Sequence, residues 1–207
     1  MPKTLKKPQG RGPSLSKTAE TKKAVLVAGL DLFLQNGFMN TRMSDVAKNA
    51  GLAKGTLYLY FESKEALFEG VLIDALREPL ADSLLVTHDS NESVKSLVLR
   101  TFAPILRDFE KSRRAEIIRL VLAEGSRFPA LAQTYRRVVL EPMMNSVRLL
   151  AQRARSRGEL RTDALEKFPL LFVAPGLVAT VWNGLFNAED AIDSGAVFEA
   201  FIDAIFV

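Results

Sequence analysis

The chain has 207 residues, 48% of them hydrophobic and 25% charged, with a formal net charge of +4. That is the balance of a globular protein long enough for one large helical domain or two small ones, not of a disordered chain. It has no cysteine and one histidine, His88, set among Thr87, Asp89, Ser90 and Asn91, which excludes disulfides, cysteine nucleophiles and zinc–thiolate sites and leaves a Ser–His triad hard to assemble.

The charge is unevenly distributed. Residues 1–23 carry seven lysines and arginines against Glu20, a net of +6, which leaves −2 for residues 24–207. The opening "MPKTLKKPQGRGPSLSK" is basic and bears Pro and Gly, the composition of a flexible arm that attracts polyphosphate. It lacks the apolar stretch of a secretory signal, and the longest apolar run, Leu170 to Trp182, is too short to span a bilayer. The expectation is a soluble, cytoplasmic protein without a membrane partner.

Helical periodicity then dominates. Leu26, Leu30, Phe33 and Gly37 follow three- and four-residue steps, predicting a first helix over Thr18–Asn36 that stops at Gly37. Short helices follow over about Ser44–Ala50 and Lys54–Tyr60. Ser63 offers an N-cap for a helix to about Asp82. After a break at Thr87–Asn91, helices are expected over Glu92–Phe109, bent near Pro104, and from Ser112 to about Gly125. A long one covers Ala130–Arg157 with a bend near Pro142. Asp163 and Glu166 resemble a capping box opening a helix to about Asn187, and the last helix spans Asp190–Phe206. No Asn-Gly hairpin or sustained two-residue alternation signals a strand. The fold expected is all-α, about nine helices, with a small N-terminal module and a larger C-terminal bundle.

One segment carries chemistry. In Thr41–Tyr60, Val46, Ala47 and Ala50 give a short helix its inner face, Gly51 supplies a turn, and Leu52 and Leu57 anchor a second helix. This is the spacing of a helix-turn-helix, whose second helix enters the major groove by its N-terminal half. With Leu57 inward, Lys54 can donate to guanine or phosphate, Gly55 allows close approach, and Thr56 offers a hydroxyl or a methyl to base edges. Tyr58 and Tyr60 can reach phosphates, and Phe61 belongs to the core. "GLAKGT" is no phosphate-binding loop: the order is Lys-Gly-Thr and no strand precedes it.

These residues resemble a known family. "TRMSDVAKNAGLAKGTLYLYFESKEALF" is similar to the DNA-binding module of TetR/AcrR-type transcriptional regulators, and "AVLVAGLDLFLQNGF" looks like its first helix. "RLVLAEGSRFPALAQTYRRVVLEP" resembles one type of C-terminal domain in that family. The resemblance implies DNA contacts at Arg42, Ser44, Lys54, Gly55, Thr56, Tyr58, Tyr60 and Lys64. Lys64 also has a physical rationale beside a helix N-terminus that can hold a phosphate. Two departures stand out: Ala53 replaces a frequent Ser or Thr, and Leu59 a frequent polar or aromatic residue.

The resemblance further implies a division into an arm (1–17), a helix-turn-helix domain (18–62) and a ligand-binding and dimerisation domain (63–207). It implies a repressor that binds a palindromic operator in double-stranded DNA as a homodimer and is released by a small-molecule effector, with no cofactor, metal or catalytic residue. Helical enzyme and non-specific architectural DNA binder are the alternatives. Candidate effector contacts are Phe102, Ile105, Leu106, Leu120, Glu124, Tyr135, Val178 and Trp182, and an arginine inside the pocket would favour an anion. Phe172, Leu177, Val181, Leu185, Phe198, Phe201, Ile202 and Ile205 exceed a single apolar stripe and are expected to be buried, either within the monomer or against a partner; the resemblance implies that they form a dimer surface.

Overall fold

The computed structural model describes residues 15–77, 91–186 and 190–207. Among them are ten helices, no strand and one isolated antiparallel bridge, Leu160 to Phe206. In chain order they are α1 (Leu15–Asn40), α2 (Met43–Asn49), α3 (Lys54–Tyr58) and α4 (Lys64–Leu72, continued by a π-helical turn, Ile73–Arg77). Then come α5 (Val94–Arg107), α6 (Arg114–Glu124) and α7 (Pro129–Tyr135, a π-helical turn Arg136–Leu140, then Glu141–Ser156). The chain ends with α8 (Ala164–Lys167), a 3-10 turn (Pro169–Val173), α9 (Ala174–Leu185) and α10 (Ser194–Ile205). The expected basic arm to Ser14 and His88 lie outside the described residues.

Two buried clusters organise these helices. The first joins α1–α4 to α6 and the front of α7. At its centre Phe33, Phe38 and Phe68 stand with ring centroids 5.5–5.6 Å apart, an arrangement that adds about 0.5–1.5 kcal/mol per pair beyond area burial. The second joins α5, the rear of α7, α8, the 3-10 turn and α10 around Phe102, Phe172 and Phe198, 4.9–6.3 Å apart. α6 therefore serves the core of the helix-turn-helix module while its other face looks into the bundle.

Several helix ends differ from expectation, each for a local reason. Ser112 does not cap α6; its hydroxyl turns back to the Asp108 and Phe109 carbonyls, and Arg113 precedes the helix in a left-handed conformation. Ser93 caps α5 instead of the chain starting at Glu92, its oxygen accepting from the Ser96 N–H. Asp163 makes no capping bond, because its carboxylate pairs with Lys167 at 2.8 Å. The single helix expected from Asp163 to Asn187 is broken where Pro169 interrupts the ladder, giving α8, the 3-10 turn and α9. In α7 the wide turn Arg136–Leu140 comes just before Pro142, whose missing N–H leaves a carbonyl one turn back without its helical donor.

Candidate nucleic-acid interface and effector cavity

The helix-turn-helix forms as its apolar spacing requires. Val46, Ala47 and Leu57 are each no more than 2% exposed, so α2 and α3 cross on small and branched side chains. Between them the Ala50, Gly51 and Leu52 N–H groups close on the Val46, Lys48 and Ala47 carbonyls at 2.8–3.1 Å. The tight reversal needs φ of +69° at Gly51, where a side chain would be strained.

Leu57 pointing inward turns the rest of α3 outward. Lys54, Gly55 and Tyr58 are exposed and Thr56 is half-buried. The Lys54 ammonium stands 6.0 Å from the Tyr58 ring, and no atom lies within 4 Å of a Cβ built on Gly55. Arg42 and Ser44 are exposed at the start of α2, beside Asp45. No side chain caps α3, whose preceding residue is Ala53. Leu59, flagged in the sequence as a departure, is 84% exposed at the helix end. Tyr60 is half-buried against the module's core.

Lys64 has a different environment from the open phosphate site expected of it. Its ammonium donates to the Phe38 and Met39 carbonyls at 2.7 and 2.9 Å and lies 4.6 Å from the Phe38 ring. Those carbonyls end α1, where a cation is favoured. Lys64 thus pins the start of α4 to the end of α1.

That end of α1 is a junction whose other members were not evident from the sequence. α1 breaks at Gly37, with φ +77° and ψ 163°, a region essentially open only to glycine. Thr41, 2% exposed, donates to the Leu32 and Gly37 carbonyls at 2.9 and 2.8 Å. The Glu124 carboxylate, at the end of α6, accepts from the Phe38 N–H at 3.0 and 3.3 Å. Glu124 is therefore no lining residue of the cavity; it ties the bundle to the helix-turn-helix module. Only the Gly37 stop was legible in sequence, because the partner lies 86 residues away.

The bundle holds a partly open cavity of about 530 Å³ walled by α5, α6, α7 and α9, within the ~300–1,000 Å³ of small-molecule sites. Phe102, Ile105, Leu106 and Tyr135 line it. Leu120, Val178 and Trp182 do not. On α6 and the Gly125 that ends it the cavity wall is Arg114, Ile118, Val121, Leu122 and Gly125, and helical phase sends Leu120 into the first cluster. On α9 the wall is Gly176 and Leu177, so Val178 and Trp182 fall on the outer stripe, 57% and 42% exposed. Burial raises the Tyr135 phenol to about 12.

The expected dimer residues also divide. Phe172, Phe198, Ile202 and Ile205 are buried inside the protomer, and Phe201 packs partly against the same cluster. These are corrected to core: α10 docks on α5, which an apolar pattern cannot distinguish from docking on a second chain. Leu177, Val181 and Leu185 are exposed on α9 and continue into Val178, Trp182 and Phe186. Arg119 spans from α6 to the Thr180 carbonyl on α9 at 3.1 Å while paired with Glu110, which raises its pKa. No described helix is long and apolar enough to cross a membrane.

Known proteins share this arrangement. Residues 25–71 match the family described as bacterial regulatory proteins, tetR family, and residues 92–205 match the tetracyclin repressor-like C-terminal domain. The chain is 31% identical over 143 residues to the uncharacterized HTH-type transcriptional regulator YdeS of Bacillus subtilis (strain 168), covering 69% of each. It is 28% identical over 183 residues to the HTH-type transcriptional regulator UidR of Escherichia coli (strain K12), covering 82% of this chain and 83% of UidR. A solved SmeT–triclosan complex shares the fold with a TM-score of 0.71 at 16% identity, covering 91% of this chain and 92% of SmeT.

Proposed function

Because the chain belongs to the TetR family of ligand-responsive helix-turn-helix transcriptional regulators, we propose that it is a repressor whose homodimer holds a palindromic operator and releases it when a small molecule fills the cavity. The observation that carries this reading is α3, which keeps Leu57 fully buried and turns Lys54, Gly55 and Tyr58 to solvent with Thr56 between. Lys54 and Thr56 read base edges, Tyr58 and Arg42 hold phosphates, and Ser44 and Tyr60 support the same strand. Exposed Leu59 adds an apolar surface suited to a thymine methyl. Lys64 fixes the spacing of α1 and α4 behind them. Residues 18–62 form the reading unit and residues 63–207 the ligand-binding and dimerisation unit. A DNA-reading role belongs in the cytoplasm with the chromosome.

A second copy packing on the α9 stripe of Leu177, Val178, Val181, Trp182, Leu185 and Phe186 would cover the largest run of exposed apolar side chains on any one helix described. A dimer of this kind aligns with half-sites about 34–36 Å apart or multiples of that spacing. The SmeT complex holds a small molecule on the same fold, which supports an effector in the cavity here. An effector pressing on Ile118, Val121 and Leu122 shifts α6, and Glu124 at its end passes the shift to Phe38. The coupling is reciprocal: DNA that favours one position of α6 weakens the effector by the same factor.

The test is a mobility shift with the DNA upstream of the protein's own coding region against a scrambled duplex, with protomers per duplex counted by sedimentation. Two protomers on an inverted repeat are expected. Equal binding to both duplexes across a salt series would replace this reading with a non-specific binder.

A further inference from the structure

The chemistry of the cavity wall narrows the effector. Nearly all the lining is aliphatic or aromatic, and no aspartate or glutamate among the described residues takes part in it. One charged residue lines it, Arg114, at the start of α6. Arg114 is only partly occupied: its Nε donates to the Ala75 carbonyl at 2.9 Å and one Nη to the Ser112 hydroxyl at 3.1 Å. Asp108 lies 3.7 Å from that same Nη and is 57% exposed, so solvent weakens its hold. The second Nη has no partner among the described residues.

Tyr135 likewise lines the cavity, and its hydroxyl has no hydrogen-bond partner among the described residues. An apolar space with one incompletely paired cation and one unpaired phenol attracts a negative acceptor and repels a cation. A guanidinium can meet a carboxylate with a charge-assisted bond, and a phenol can donate to the same group.

Resting on the reading of this cavity as an effector site, we propose that its ligand is an apolar monoanion: a small molecule with one carboxylate-type group on Arg114 and Tyr135 and an uncharged hydrocarbon body along Phe102, Ile118, Val121 and Phe172. The pocket's apolar walls then set affinity through area buried, and Arg114 sets the sign of the head group. Each methylene seated in the wall gains about fourfold in affinity until the space is full.

The experiment is calorimetry of the full chain with three probes of one length, decanoate, decanol and decylammonium, all below their aggregation concentrations, plus octanoate and hexanoate. Decanoate is expected to bind at least tenfold tighter than decanol, decylammonium weakest, and affinity to fall about fourfold per methylene removed. Arg114→Lys keeps the carboxylate preference, while Arg114→Gln abolishes it and retains the chain-length dependence. Because Arg114 also holds the Ala75 carbonyl, Tyr135→Phe provides a second probe that leaves that bond in place. A threefold to tenfold loss for decanoate with no change for decylammonium is expected there.

Decanol or decylammonium binding as tightly as decanoate overturns the proposal, as does an affinity indifferent to length. A mobility shift run alongside separates the two claims. Sequence-specific DNA binding without a decanoate preference sinks only the ligand class. Loss of sequence-specific DNA binding in the wild-type chain sinks the regulator reading itself.

Discussion

Replacing Gly37 with alanine tests the junction between the bundle and the DNA-reading module. Two costs arise. The backbone at φ +77° and ψ 163° is in a region where a side chain costs about 1–3 kcal/mol. The new Cβ would also clash with the Glu124 Oε1, closer than real Cβ contacts come. Glu124 is the flexible partner, so it moves and gives up its charge-assisted bond from the Phe38 N–H, worth about 1.5–3 kcal/mol. Gly37→Ala should therefore destabilise the fold by about 2.5–6 kcal/mol, a large share of the ~5–15 kcal/mol a domain holds. Glu124→Ala alone loses only the bond, about 1.5–3 kcal/mol. In the double variant the clash is gone and the bond is lost once, so the sum of the single effects overshoots by about 1.5–3 kcal/mol. Urea unfolding followed by circular dichroism at one fixed protein concentration gives all four corners of the cycle. Additivity within about 0.5 kcal/mol would mean that Gly37 and Glu124 do not meet, and the path from cavity to operator would need another carrier.

Single groups carry further predictions. Lys54→Ala should cost about 1–3 kcal/mol of operator affinity and relax the preference at one base pair, measured by titrating a panel of singly substituted duplexes; a uniform loss across the panel would demote Lys54 to a phosphate contact. Lys64→Met should lower stability by about 1.5–3 kcal/mol through its two α1 carbonyls while leaving the salt slope of DNA binding nearly unchanged. A slope smaller by about 1 would instead return Lys64 to the phosphate backbone. Tyr135 should ionise near pH 12 in the folded chain, against about 10 unfolded. The fold therefore favours the protonated phenol, and this contribution, intact below pH 10, is lost as the pH rises toward 12. Absorbance titration at alkaline pH should show that late step, and Tyr135→Phe should remove it. Glu69, held below its usual range by its hydrogen bond from Arg137, contributes stability above pH ~4.5 that fades on acidification. The pair is largely exposed, so Glu69→Gln should cost under about 1 kcal/mol by the same unfolding assay.

Features that depend on neighbours a few residues apart were readable from the chain itself. Ala47, Gly51 and Leu57 specify the helix-turn-helix because their roles are a close crossing, a positive φ and an anchor one turn away. With Leu57 placed, the outward position of Lys54, Gly55 and Tyr58 follows from helical phase. The stop at Gly37 and the bends at Pro104 and Pro142 were legible for the same reason, although the form each break took was not: the π-turn before Pro142 and the 3-10 turn that starts at Pro169 are settled by packing.

Which apolar face meets which partner emerged only from the packed molecule. Phe198 and Ile202 are spaced one helical turn apart on α10, as Val181 and Leu185 are on α9. Yet α5 covers the first pair while the second stays exposed. Hydrophobic burial is non-directional, so a pattern records that a face is covered and not by what. Glu124, Lys64 and Arg114 make the point for polar groups. Each finds its partner far along the chain or in a cavity wall, and hydrogen bonds between distant residues leave no local spacing to read.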